Sequence, residues 1–360
     1  MRQNHRRRPT RSAKPGTTRL VLVAAALAAT GGLTATFVSS GGRGAADAAT
    51  SPSDFVPIEQ VQPNVVPPGT GPDASTGRFT VDCGTNGDGK FSADNPVAQP
   101  GVRNGAQHVH DFVGNLVITA DSSDADLDAS DTTCENGDKS AYFWPVVRID
   151  LSTERDNGQP SAAPTGSAGP LPEPQGPNLE LPNNTGDILR PASVLIEYLG
   201  NPVGKVIPMP KFLRELTGEA KPTSRGPANA RATWTCSGFA DRLLDKYPIC
   251  PTGSQVQRVQ DFPGCWDGTN IDSANHRDHV AFADTTTGAC PQGFATIPQL
   301  RITLSYDIPQ EVQAGGQYAL DSFPEEDHNP ASDHNDFINV NSAQTMHRIA
   351  TCLNEGEDCR

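Results

Sequence analysis

Residues 265–282 place a cysteine, a tryptophan, three aspartates and two histidines within eighteen positions, with little apolar surface between them. A stretch so dense in titratable groups makes poor core. Its residue types suit a metal cradle, an acid/base site or a hydrogen-bonded scaffold. His276 and His279 are three apart, the spacing of one helical turn or a tight loop. A second candidate lies at residues 105–115, where His108 and His110 flank Val109 in an alternating run. On a strand, residues two apart share a face about 7 Å apart, close enough for both imidazoles to reach one ion. A third cluster, Glu325–Asn329 and Asp333–Phe337, contributes His334 and Asp336.

Asp111, Asp267, Asp272, Asp278 and Asp336 stand beside these histidines. A carboxylate next to an imidazole fixes its tautomer, which serves a metal's outer shell and an acid/base pair equally well. His108, His110, His276 and His279 are therefore the expected acid/base or metal-binding set, converging in one pocket. Asp267 and Asp272 are the expected orienting or catalytic carboxylates, as in glycoside chemistry. Trp266 offers a sugar platform, and Asp111, Asp278, His334 and Asp336 are binding neighbours. Nitrogen-rich ligation favours zinc or copper over calcium. The turn at Asn86-Gly87-Asp88-Gly89 lacks the ligand ladder and closing glutamate of a calcium loop.

The elements that must position these groups are short. Gly (34) and Pro (32) favour turns and strands over long helices. Alternation predicts strands at 79–83, 105–115, 142–150, 192–199, 203–207, 232–236 and 297–306, the last with Leu300, Ile302, Leu304 and Tyr306 on one face. Helical spacing of Phe212, Leu213 and Leu216 predicts a short helix at 210–217, and a closing helix is expected at 342–352. Residues 121–128 read as a solvated acidic loop. The expected fold is mainly β: an antiparallel β-sandwich or distorted jelly roll with long loops and a few short helices, stapled by disulfides. Residues 152–187 form a Pro/Gly/Ser/Asn insertion within the single domain 79–360, and 49–78 is an extended lead-in.

Seven basic residues up to Arg19 precede an apolar run over 20–38 and the small-x-small site Ala46-Asp47-Ala48, so residues 1–48 read as a cleaved export signal, with a retained signal anchor as the alternative. No stable membrane span is expected after cleavage. Of the chain's 28 basic and 42 acidic residues, this segment holds eight and one, leaving 20 against 41, a net of −21. Such a body repels polyanions, which argues against a nucleic-acid partner. All eight cysteines (Cys83, Cys134, Cys236, Cys250, Cys265, Cys290, Cys352, Cys359) follow the signal, none as Cys-x-x-Cys. An even count in an exported chain implies up to four disulfides. Their spread is expected to staple the whole body; Cys352 and Cys359 are close enough to close a small loop, and the other pairings are open.

The blocks Gly105–Asn115, Phe262-Pro263-Gly264-Cys265-Trp266-Asp267-Gly268, Asn270-Ile271-Asp272-Ser273, His276-Arg277-Asp278-His279-Val280-Ala281-Phe282, Cys290-Pro291 and Ile297-Pro298-Gln299-Leu300 resemble hallmark motifs of the DUF1996 family of secreted bacterial and fungal proteins. The resemblance covers roughly residues 79–359. Where fungal members read Asp-His-x-Ser-His, Asn275 and Asp278 replace the Asp and the Ser while both histidines match. His334-Asn335-Asp336-Phe337 is similar to the family's His-Gly-Asp-Tyr, with no phenol at 337. The resemblance implies a secreted, disulfide-bonded domain and a site, but no reaction. Carbohydrate-binding modules on fungal relatives imply a cell-wall or other extracellular polysaccharide as partner. The leading expectation is a monomeric secreted domain with a His/Asp-lined cleft acting on such a glycan, hydrolase- or lyase-type, with or without a bound metal. Its rivals are a non-catalytic carbohydrate- or wall-binding protein with structural polar clusters, and a metal-scavenging module.

Overall fold

A computed structural model describes residues 50–151 and 171–360. The expected export signal lies outside the described residues, as does the part of the expected 152–187 insertion from 152 to 170. Two sheets dominate. One has six strands in the order Trp234–Cys236, Val256–Asp261, Gln299–Tyr306, Ser193–Leu199, Arg78–Val81 and Asp358–Cys359. Its pairings are antiparallel except the last, which is parallel. The other has five antiparallel strands in the order Phe91–Ser92, His110–Gly114, Ala141–Pro145, His334–Ile338 and Arg214–Gly218.

Period-two alternation explains why the sheets stack. Leu300, Ile302, Leu304 and Tyr306 are all buried, and they share a core with Phe79, Ile196 and Tyr198 from their own sheet and Val113, Tyr142, Trp144 and Phe337 from the other. The five-stranded sheet is apolar on its second face too, where Phe112, Phe143, Leu216 and Ile338 pack together. That second face carries the candidate site. The fold is mainly β with several sheets, few short helices and no closed barrel.

Several local expectations change. Residues 142–150 are two strands rather than one, because the chain kinks after Pro145. Val147–Ile149 pairs instead with Tyr318–Leu320 and Asp187–Leu189. The expected helix at 210–217 is an edge strand, Arg214–Gly218, paired with His334–Ile338. Eight residues make a marginal helix in isolation, and ladder pairing supplies the backbone with more partners. Residues 203–207 form no strand. The Asn201 side chain instead accepts from Val203 N and Gly204 N at 2.9 and 3.0 Å. The expected acidic loop contains a short helix, Asp124–Ala129, closed by a Ser123/Asp126 capping box. Part of the lead-in docks: Phe55–Pro57 pairs with Tyr247–Ile249 and Ile58 is fully buried. The closing helix runs Ala343–Glu355, with Ser342 Oγ accepting from Thr345 N.

The disulfides join Cys83–Cys134, Cys236–Cys250, Cys265–Cys290 and Cys352–Cys359. Each links neighbouring cysteines in the sequence, so they brace local loops rather than tying distant parts of the body together.

Glu215 is the least expected core residue. It pairs with Phe337, is fully buried, and neither carboxyl oxygen has a hydrogen-bond partner. Burial raises its pKa well above the usual 4.5. In the unfolded chain the same group ionises above that value, so stability falls as pH rises through the interval between the two pKa values. Glu215→Gln should therefore raise the melting temperature at neutral pH. The advantage should vanish near pH 4 and grow by about 1.4 kcal/mol per pH unit above 4.5. Thermal unfolding across pH 4–8 checks this; a gain independent of pH would contradict it.

Candidate metal centre

The site begins with two strands that flank Ala141–Pro145. His110 opposes Pro145 from one side. Continuing the Asp336↔Phe143 pairing by two residues places His334 opposite Pro145 from the other. Strands two apart are separated by about 9.5 Å, a gap that two inward-leaning imidazoles can close. His108 lies just before its strand, in the turn that leads into it. Gly218 sits opposite His334 with φ +79°, and a Cβ there would fall 2.1 Å from the Asp333 carbonyl oxygen. Only glycine lets the edge strand come this close to the His334 strand.

The three rings meet through the same atom. His108 Nε2 is 3.2 Å from His110 Nε2 and 3.2 Å from His334 Nε2, and the last two nitrogens are 3.4 Å apart. An uncharged Nε2 either carries a hydrogen or offers a lone pair. Among three mutual neighbours, two must therefore be alike, so hydrogen bonding among them cannot satisfy every contact. A cation satisfies all three lone pairs together. Ligands on a tetrahedral ion at about 2.0–2.1 Å are about 3.3–3.4 Å apart, which matches the triangle. A square-planar copper site would instead place one pair about 4 Å apart. The donor set thus fits zinc better than copper(II).

Burial prepares the rings for metal. His108 is fully desolvated and neighboured by two other imidazoles, which holds its pKa well below the usual range. His110 is lowered in the same way by burial and His334, and burial takes His334 down to about 4. All three rings are neutral at pH 7, the form that coordinates. His334 Nδ1 donates to the Ser332 carbonyl at 2.9 Å, leaving Nε2 as the free lone pair. The Nδ1 atoms of His108 and His110 are buried without a well-aligned partner. Backbone groups of Ala106 and Asp94 lie close enough to favour their protonated rings.

The triad opens on one side. A cleft of about 320 Å³ is lined by His108 and His334 together with Asn95, Gln99, Asp336 and His276. Lys221, Arg225, Arg277 and Glu219 also face it. His110 is the rear ring of the triad, edge-on to Phe143 with ring centres 5.5 Å apart. Asp336 shares the His334 face two residues on, and accepts from Asn95 Nδ2 at 3.1 Å. Burial raises Asp336 to about 7 despite that bond.

His276 stands apart from the triad but in the same cleft. Its Nδ1 is 2.9 Å from Asp272 Oδ1, so its Nε2 is the open nitrogen. Desolvation works to raise Asp272, yet the His276 hydrogen bond and the Ser273 backbone hold its pKa below the usual value.

The remaining sequence-predicted residues have other surroundings. His279 is buried with both nitrogens engaged, by Ser273 Oγ at 2.9 Å and the Arg214 carbonyl at 2.7 Å. It does not reach the triad, and His334 occupies the position expected for it. Asp267 binds the Thr269 and Asn270 backbone N–H groups at 2.8 Å, holding its own turn. Trp266 packs partly against the core and donates to the Asn270 carbonyl at 2.6 Å. Asp278 accepts from Asn275 Nδ2 at 2.8 Å. Asp111 is buried and raised by that burial to about 7, on the sheet face opposite His110. Glu219, Lys221, Arg225 and Arg277 were missed, because isolated charges in loop sequence carry no spacing signal.

Compared with known families, residues 95–340 match DUF1996, described as a domain of unknown function. The chain belongs to the DUF1996 family. All three triad histidines, Asp272, His276 and the cationic lining fall inside the matched span of this DUF1996 domain. No curated protein and no solved structure shows a significant match.

The triad and His279 make separable predictions. His108→Ala, His110→Ala and His334→Ala should each abolish stoichiometric zinc uptake, measured by elemental analysis after dialysis against excess zinc. His279→Ala should keep the zinc and only lower the melting temperature. Full zinc in a triad variant would disprove the assignment.

Proposed function

We propose that the domain is a secreted, metal-dependent enzyme acting on an extracellular or cell-wall glycan by hydrolysis or elimination. The observation that carries this reading is the convergence of three neutral imidazole nitrogens at the floor of a solvent-facing cleft. Three protein ligands with an open side characterise catalytic zinc, whereas structural zinc is closed by four. When bound, the ion supplies Lewis acidity to an oxygen in the cleft.

The chain's own residues supply the rest. Asp336, with a pKa near neutrality, can hold a proton beside the triad and give it to a leaving oxygen. His276, its Nδ1 fixed by Asp272, offers Nε2 as a base on the cleft wall. Gln99 brings a further amide to the cleft lining, a group type suited to sugar hydroxyls. Secretion is supported by four disulfides. No helix among the described residues is long and apolar enough to cross a membrane.

The test is turnover on a panel of polysaccharides by zinc-loaded and chelated protein. Chelation should remove activity and zinc restore it. His276→Ala should keep the metal while lowering turnover about 10²–10⁴-fold. Undiminished turnover after complete metal removal would reject the proposal. Glycan binding with no bond cleavage on any substrate would favour a carbohydrate-binding role.

A further inference from the structure

The chain beyond residue 48 carries 20 basic and 41 acidic side chains, yet the cleft concentrates cations. Lys221, Arg225 and Arg277 line it, against Glu219 and Asp336. Both acids have local partners. Glu219 accepts from the Lys221 backbone at 3.2 Å and Asn229 Nδ2 at 3.1 Å, and lies 4.0 Å from Arg277. Asp336 accepts from Asn95.

The cations are only partly matched. Lys221 pairs with Glu325 at 2.7 Å, while its ammonium lies 3.7 Å from the centre of the Phe323 ring. Phe323 packs edge-on against His108 at 5.0 Å, so this positive charge is one aromatic ring from the triad. Arg277 donates to the Gly218 carbonyl at 2.7 Å, is attracted by Glu219 and Asp336, and is repelled less strongly by Arg231 and Arg225. Arg225 is exposed and has no ion pair or side-chain hydrogen bond among the described residues. Three cations thus face two acids in the cleft, and Arg225 is left as the unmatched charge that an anion would complete.

Resting on the metal-enzyme reading above, we infer that the cleft selects an anionic glycan, with carboxylate or phosphate groups along the chain. Lys221, Arg225 and Arg277 bind those groups beside the triad. A guanidinium pair with a carboxylate or phosphate gives both charge and bidentate geometry, which a neutral glycan cannot use.

The full zinc-loaded chain is titrated calorimetrically with an oligouronate, a phosphate-bearing polyol polymer, and a neutral carboxyl-reduced oligouronate. At least one anionic ligand should bind about tenfold or more tightly than the neutral one. That advantage should shrink as ionic strength rises from about 0.05 to about 0.5 M. Preference between the two anions identifies the charged group and supports the inference either way. Arg225→Glu, a surface change, should reduce anion affinity about tenfold or more while leaving zinc content unchanged. Equal binding of charged and neutral ligands, or an indifferent Arg225→Glu protein, overturns the inference. Charge-selective binding by wild-type protein that takes up no zinc and cleaves no substrate supports it while counting against the metal-enzyme reading.

Discussion

The site depends on one buried ion pair between the two sheets. Arg258, on the Val256–Asp261 strand, is fully buried and grips both carboxylate oxygens of Asp333, which is equally buried. Its remaining nitrogen donates to the Pro145 carbonyl at 2.8 Å. Gln260, on the same strand face, donates to Asp333 at 2.7 Å and to the His334 carbonyl at 3.2 Å. Breaking such a pair by removing one partner commonly costs about 3–5 kcal/mol, because the other charge is left stranded. Its value here is positional. It fixes the residue before His334 and the residue opposite His110 with one rigid planar group.

A second buried pair holds the other half of the triad. Asp321 accepts from Arg148 Nε at 2.6 Å and from the Val109 backbone N–H at 3.1 Å. Val109 separates His108 from His110, and its carbonyl in turn accepts from Val146 N at 3.0 Å. Both segments that deliver imidazoles are therefore anchored by charge-assisted bonds to chain far away in sequence. Ligand nitrogens within 0.2 Å of a common separation need such anchoring. Loops alone would let the rings drift.

How much of this the sequence discloses depends on the range of the signal. The pair at 108 and 110 was legible by proximity, although the expected strand at 105–115 begins only at His110 and His108 reaches the site from the preceding turn. The strand at Gln299–Tyr306 was legible because a strand's alternation is local. His334 was recognised as a polar neighbour but not as the third member of the triad, since its partnership arises from strand order across Ala141–Pro145. His276 and His279 look equivalent in sequence, yet the backbone folds one towards the cleft and the other onto the Arg214 carbonyl. The edge strand at Arg214–Gly218 was hidden by a helix-like spacing of three apolar residues. Long-range pairing with His334–Ile338 decided its state, and no eight-residue window contains that partner.

The cysteine pairing bears on how the chain is made. Every bridge unites a cysteine with the next one along, and the closed segments span 51, 14, 25 and 7 residues in turn. A polypeptide released N-terminus first therefore meets each correct thiol before any competing one has emerged. Oxidation in simple order of appearance gives the native set, so reshuffling by an isomerase is not needed to reach it. The first three cross-links involve only residues before 334 and can close before the ring of imidazoles is complete, whereas Cys352–Cys359 follows it.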